Sequence, residues 1–241
     1  FASSKSAGIN IDFNGKKIIV EELTENSFKN KNIDIALFSA GGQISEKYAP
    51  IAVKDGAIVI DNSSAWRMHK DVPLVVPEVN PEDIKLNNGI IANPNCSTIQ
   101  AVVALKPLHD KYTIKRIVYS TYQSVSGAGY EGVKDLENGI KGEAPKKFIY
   151  PIAYNCIPHI DIFLDNGYTK EEMKMINETK KILHCDSIGI TATTVRVPVS
   201  AGHSESINVE FKDSFELEDI FNILKNSDGI IVEDDVKNNI Y

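Results

Sequence analysis

The sequence predicts an α/β fold in two parts: a parallel-sheet part made of strand–helix repeats, followed by an α+β part built on a mixed sheet. Two observations carry this. Between residues 16 and 94, short apolar runs alternate with helical or small-residue segments, the rhythm of a doubly wound parallel sheet. Beyond residue 96 the strand candidates lengthen and fill with β-branched and aromatic residues, which suits a mixed or antiparallel sheet with one face under helices. The boundary is expected close to Cys96, dividing the chain into 1–95 and 96–241.

Each element has its own signal. KKIIVEEL (16–23) and IDIALFSA (33–40) read as strands, and 45–55 as a helix stopped by Gly56 at the position that favours a left-handed residue. AIVIDNSS (57–64), LVVPEV (74–79) and GIIANP (89–94) read as further strands. The small-residue turns SAGG (39–42) and DNSS (61–64) follow strands, where an open α/β sheet binds ligands. A helix starts near Cys96. Long strands are then expected at 114–126, 191–200 and 205–212, separated by helices at 129–141, 170–184 and 215–226.

Composition narrows the class. A net charge of −7 and a pI near 5.3 argue against a general nucleic-acid or acidic-membrane surface, while leaving room for a local basic pocket. No apolar run reaches the roughly 18 residues of a membrane span, and no signal peptide is evident. Cys96, Cys156 and Cys185 form no CxxC pair, which argues against a disulfide framework or a metal site and fits a reducing cytoplasm. The chain starts FASSKSAG without Met and stops at DDVKNNIY without a closing helix signal, so a piece of a longer protein is expected.

The chemistry centres on IIANPNCSTIQ (90–100). Asn95, Ser97 and Thr98 can cap or occupy a helix start, whose free N–H groups favour an anion and lower a thiol pKa. Cys96 is therefore either a nucleophile or a small buried filler, and position alone does not separate the two. A thiol nucleophile needs a base, and His203, in the Gly/Ser turn of VPVSAGHSES, is the candidate; a surface histidine in a loop is the plain alternative. Only three arginines occur against 23 lysines, so Arg67 and Arg196 are candidates for planar recognition of carboxylate or phosphate, with Arg116 left structural. Glu171 and Lys174 share a helix face, which by itself reads as a solvated pair. SGAG (126–129) is a glycine turn where backbone could approach a cofactor.

Taken together, FASSKSAG, FSAGG, DNSSAWRM, NPNCSTIQ, STYQSVSGAG, YTKEEMKMINETKKIL, VRVPVSAGHSES and EDDV resemble the aspartate-β-semialdehyde dehydrogenase family, in particular its bacterial branch. The resemblance runs through nearly the whole chain. It implies a partial Rossmann-type domain followed by a catalytic and dimerisation domain of the glyceraldehyde-3-phosphate-dehydrogenase-like type. The implied reaction is NADPH-dependent reductive dephosphorylation of L-aspartyl-4-phosphate to L-aspartate-4-semialdehyde, in lysine, threonine, methionine and diaminopimelate biosynthesis.

The resemblance also implies roles. Cys96 would carry the acyl group as a thioester, His203 would act as general acid/base, and Gln123 would orient the intermediate. Arg196 and Glu171 would hold the amino-acid end of the substrate, with Arg67, Lys174 and Asn95 forming the phosphate pocket. Ser3, Ser4, Lys5, Ala40, Gly41, Ser126 and Gly127 would lie along the cofactor. A hydroxyl-and-lysine cluster in place of an acidic residue favours NADP over NAD. The family's glycine-rich phosphate loop and C-terminal segment have no counterpart in the sequence. A homodimer or a dimer of dimers is expected. Another acyl-phosphate reductase of the same architecture, such as N-acetyl-glutamyl-phosphate reductase, remains an alternative, as does an inactive fragment serving as a binding subunit.

Overall fold

The computed structural model describes residues 1–241, which separate by contacts into two compact units: Phe1–Val75 with Pro81–Pro94, and Val76–Asn80 with Asn95–Tyr241.

In the first unit, β1 (Asn10–Phe13) and β2 (Lys16–Ile19) pair antiparallel around Asn14-Gly15. Both central residues of that turn have positive φ, which matches the twist of a two-residue hairpin. The apolar run at 16–23 thus ends early, as one arm of a solvent-exposed hairpin. β3 (Ile35–Phe38), β4 (Ile58–Asp61) and β5 (Ile90–Ala92) form a parallel sheet in the order β3-β4-β5. α1 (Gly42–Lys54) makes the crossover from β3 to β4 and buries Ala49 and Ala52. It ends in a Schellman motif, with Gly56 N–H on the Val53 carbonyl and Ala57 N–H on the Ala52 carbonyl.

The strand expected at 74–79 does not form. Leu74 makes one parallel bridge to Ala92, and the segment then turns at 77–79. Pro73 precedes this run and Pro77 interrupts it, both without the N–H group a ladder needs, so burial of Leu74, Val75, Val76 and Val79 explains its apolar character.

In the second unit, β6 (Ile114–Gln123) is the central strand of a mixed sheet. It pairs in parallel with β7 (Gly189–Arg196) and antiparallel with β8 (Ser204–Phe211). Alternation along β6 turns Ile117, Tyr119, Thr121 and Gln123 to one face, where they are buried. α2 (Cys96–Tyr112) and α4 (Lys170–Ile182) pack on this sheet and on each other, and α5 (Leu217–Lys225) lies against α2. α3 (Tyr130–Ile140) follows a 3₁₀ turn at Val125–Ala128 and covers a small core of Val125, Leu136, Ile152 and Ile157. The opposite sheet face is open, with Tyr122, Thr193, Ser204 and Ser206 exposed. No helix is long and apolar enough to cross a membrane.

Glu205 lies on the same covered face, opposite Thr121. Its Oε1 accepts from Gln100 Nε2 at 2.8 Å, its Oε2 is buried without a partner, and burial pushes its pKa up from 4.5 to about 7. A carboxyl whose folded pKa is raised stabilises the fold below its unfolded pKa, and that contribution is lost as the pH rises through the folded value. Glu205→Gln removes the titration. The variant is expected to melt above wild type at about pH 8 and to lose that advantage near pH 4.5. Thermal melts across this range check it; a pH-independent Tm difference would contradict the assignment.

Candidate active site

The start of α2 is built by Asn95. Its side-chain Oδ1 accepts the N–H groups of Ser97 at 3.0 Å and Thr98 at 3.3 Å, capping the helix. The same amide donates from Nδ2 to Glu171 Oε1 at 2.8 Å, and the Asn95 backbone N–H donates to Glu178 Oε2 at 2.6 Å. Both carboxylates are buried on α4, two turns apart and therefore on one face. α4 is itself set by a capping box between Thr169 and Glu172.

Cys96 is the first residue of α2, and its side chain opens to solvent. The protein around the sulfur is still dense enough that burial, followed by the Glu171 charge, raises its pKa above the ordinary thiol value. The N–H groups of Cys96 and Ser97 pull the other way. The expectation of a thiol acidified by the helix start is therefore corrected. A helix terminus contributes only roughly 0.3–1 kcal/mol, and burial together with the Glu171 charge outweighs it.

Gln123 and Arg196 are in-register neighbours on β6 and β7, so they share the buried face. Gln123 Nε2 donates to Glu171 Oε1 and to Thr121 Oγ1, both at 3.3 Å. Arg196 Nη1 donates to the Ser124 carbonyl at 2.6 Å. The Ser124 N–H in turn donates to His203 Nδ1 at 3.1 Å, and the Ser124 hydroxyl lies 3.1 Å from the same nitrogen. One residue thus ties the arginine to the histidine. An Nδ1 that accepts a backbone N–H leaves the neutral ring's proton on Nε2. Burial and the Arg196 charge lower the His203 pKa, against an opposing pull from Glu171. A Cβ on Gly127 would come within 2.8 Å of Arg196 Nη1 and 3.3 Å of His203 Nε2, which explains glycine at this position.

Lys174 Nζ bridges Glu171 Oε2 at 3.0 Å and Asp161 Oδ2 at 2.8 Å. Burial disfavours its charge, but the two carboxylates outweigh burial and raise its pKa. Glu171 therefore faces four of the residues singled out in the sequence: Asn95, Gln123, Lys174 and, through its charge, Cys96. Arg67 lies in the first unit, where Nε donates to the Asn93 carbonyl at 2.9 Å and Nη2 to the Asn62 carbonyl at 3.0 Å. Ser3, Ser4 and Lys5 form an exposed turn in that unit, and Ala40 and Gly41 immediately precede α1. Ser126 and Gly127 belong to the 3₁₀ turn of the second unit.

Sequence reasoning missed Ser124, Asp161 and Glu178. Glu178 carried a usable signal, since it falls seven residues after Glu171 on the same helix face. Ser124 acts mainly through its backbone, which no side-chain pattern reveals.

Two family models match the chain: "Semialdehyde dehydrogenase, NAD binding domain" over residues 1–87 and "Semialdehyde dehydrogenase, dimerisation domain" over residues 105–240. The aspartate-semialdehyde dehydrogenase of Aquifex aeolicus is 57% identical over 100% of this chain and 73% of its own length. Aspartate semialdehyde dehydrogenase II of Vibrio cholerae, solved in complex with ASA, is 49% identical, with a TM-score of 0.90 over 95% of this chain and 70% of that one. The Candida albicans enzyme solved with NADP is 28% identical, with a TM-score of 0.71 over 93% of this chain and 67% of that one. A nucleotide-binding unit, a dimerisation unit and this level of identity across the length of the sequence place the chain in the aspartate-semialdehyde dehydrogenase family.

Proposed function

We propose that Cys96 carries the acyl group in the reaction of this family, with its neighbours on α4, β6 and β7 holding the substrate around it. The chain is a dehydrogenase of amino-acid biosynthesis, acting between L-aspartyl-4-phosphate and L-aspartate-4-semialdehyde on the route to lysine, threonine, methionine and diaminopimelate. The observation that carries the residue assignment is the convergence of Asn95, Gln123 and Lys174 on Glu171, beside a cysteine at a helix start.

The Cys96 thiolate attacks the acyl carbon of the acyl phosphate; the carbon–oxygen bond to phosphate breaks, phosphate leaves with the bonding pair, and a thioester remains. The nicotinamide dinucleotide supplies the hydride when bound. The resulting thiohemiacetal collapses by breaking its carbon–sulfur bond, which returns the thiolate. We assign to His203 the proton handled in these steps, exchanged at Nε2 on the Gly127 side, with the rotatable Ser124 hydroxyl available to Nδ1 as the ring changes charge. Gln123 orients the intermediate from its place beside Glu171.

Arg196 suits the substrate carboxylate and Glu171 the ammonium, a pairing that gives a free amino-acid end an advantage over an acetylated one. Lys174 and Asn95 supply positive charge and a donor for phosphate. Two features fit a phosphorylated nucleotide. α1 follows the N-cap residue Gly41 with no side-chain cap and no acidic residue in its first turn, leaving N–H donors for an anion. The exposed Ser3-Ser4-Lys5 turn offers hydroxyls and a cation suited to a 2′-phosphate, so we assign NADP in preference to NAD. Residues 1–95 form the NADP-binding domain in this reading and 96–241 the catalytic and dimerisation domain. The open face of β6, β7 and β8, with Tyr122 47% exposed, suits a homodimer contact. Three free cysteines suit the cytoplasm.

Phosphate-dependent reduction of NADP by aspartate semialdehyde, measured on the full-length protein, tests the reaction. Cys96→Ser is expected to abolish turnover, and equal rates would sink the nucleophile. Arg196→Lys is expected to raise the KM for semialdehyde by about tenfold or more, because an ammonium cannot reproduce the guanidinium fork; an unchanged KM would remove the carboxylate role. The thiol supplies a third test. Removing the Glu171 charge by Glu171→Gln is expected to lower the Cys96 pKa, moving the pH profile of iodoacetamide alkylation to lower pH. A profile displaced upward would contradict the electrostatic account.

A further inference from the structure

We propose that Glu178 is a positioning residue for the Cys96 nucleophile, acting through the backbone of Asn95. The assignment rests on Cys96 being the attacking group. Glu178 is 1% exposed, and a carboxylate so deep in a protein is expensive unless it is used. Its Oε2 accepts the Asn95 N–H at 2.6 Å, a short bond between α4 and the residue immediately before Cys96.

The geometry divides the work between two carboxylates. Glu171 holds the Asn95 side chain through Nδ2 and lies within electrostatic reach of the thiol. Glu178 holds the main chain. Asn95 Oδ1 is already committed to the Ser97 and Thr98 N–H groups. The Asn95 N–H belongs to the planar Pro94–Asn95 peptide, which Glu178 holds, and the Asn95 carbonyl of the next planar peptide accepts the Ile99 N–H at 2.9 Å, so both peptides flanking Asn95 are held and Cys96 starts from a fixed point. The Glu171 bond alone fixes the amide at the end of a rotatable side chain. The Glu178 bond fixes the backbone, and with it the point from which the sulfur projects. Near-attack geometry is sensitive to displacements of about 1 Å, which can cost roughly a hundredfold in rate.

The test compares variants of the full-length protein. Glu178→Met keeps the length of the side chain and removes the acceptor; Glu178→Gln keeps an acceptor and removes the charge. In Glu178→Met, kcat is expected to fall by about 10- to 100-fold, with KM for semialdehyde and phosphate within about threefold of wild type. Alkylation of Cys96 by iodoacetamide, followed site by site by mass mapping without cofactor or substrate, is expected to slow while that of the exposed Cys156 is unchanged. Glu178→Gln is expected to restore both readouts to within about threefold. A folded Met variant with wild-type kcat and wild-type Cys96 alkylation would overturn the proposal. So would a loss of kcat that only tracks the folded fraction, with alkylation of the folded protein unchanged. If the Met variant does not fold, Glu178→Asp carries the same test: it keeps the charge but withdraws the acceptor by one methylene, and wild-type rates in it would overturn the proposal. Cys96→Ser, assayed in parallel, separates the two levels. A fully active Ser variant removes the nucleophile itself; an inactive Ser variant beside a fully active Met variant removes only the role of Glu178.

Discussion

An ionisable group taken out of water has to be matched inside the protein, and α4 takes out three. Glu171 and Glu178 are buried, and the Lys174 side chain between them is largely covered. Removing one partner from such a set typically costs about 3–5 kcal/mol, because the other is left uncompensated. This requirement organises the second unit. Glu171 is satisfied by Asn95, Gln123 and Lys174, and Glu178 by the Asn95 backbone, so α2, β6 and α4 meet where their polar groups find one another. Hydrophobic packing of Tyr119, Met175 and Ile182 supplies the area, but it does not specify which turn of α4 faces the start of α2.

The same carboxylates explain a tension at the thiol. The helix start invites an anion at Cys96, and Glu171 discourages one. Glu171 accepts internal hydrogen bonds from Asn95, Gln123 and Lys174 and, in the proposed assignment, also the substrate ammonium; those contacts keep it close enough to the sulfur for electrostatic repulsion to follow. In that assignment, a substrate ammonium brought to Glu171 relieves the repulsion, so the thiolate becomes easier to form when substrate is bound.

Much of the fold was legible, for physical reasons that differ by element. β6, β7 and β8 declare themselves through β-branched and aromatic residues, and α4 through Thr169 and Glu172 three residues apart. The run LVVPEV reads as a strand because burial and strand formation share one composition; only Pro73 before it and Pro77 within it distinguish the two. The hairpin of β1 and β2 was missed although Asn14-Gly15 marks it. The motif residues of the site could be picked out individually. Their convergence could not, because it depends on the parallel register that sets Gln123 beside Arg196 and on the backbone of Ser124.

Asn95 shows how far a local preference can be narrowed by its neighbours. At an ordinary helix start Asn, Asp, Ser and Thr are nearly interchangeable. Here the side chain must accept two N–H groups on one atom and donate to a carboxylate from the other. Aspartate would keep the cap while setting a third negative oxygen pair against Glu171 and Glu178, and a hydroxyl would keep the cap but fall short of Glu171. A site that elsewhere tolerates four residues is reduced by its surroundings to one, the amide.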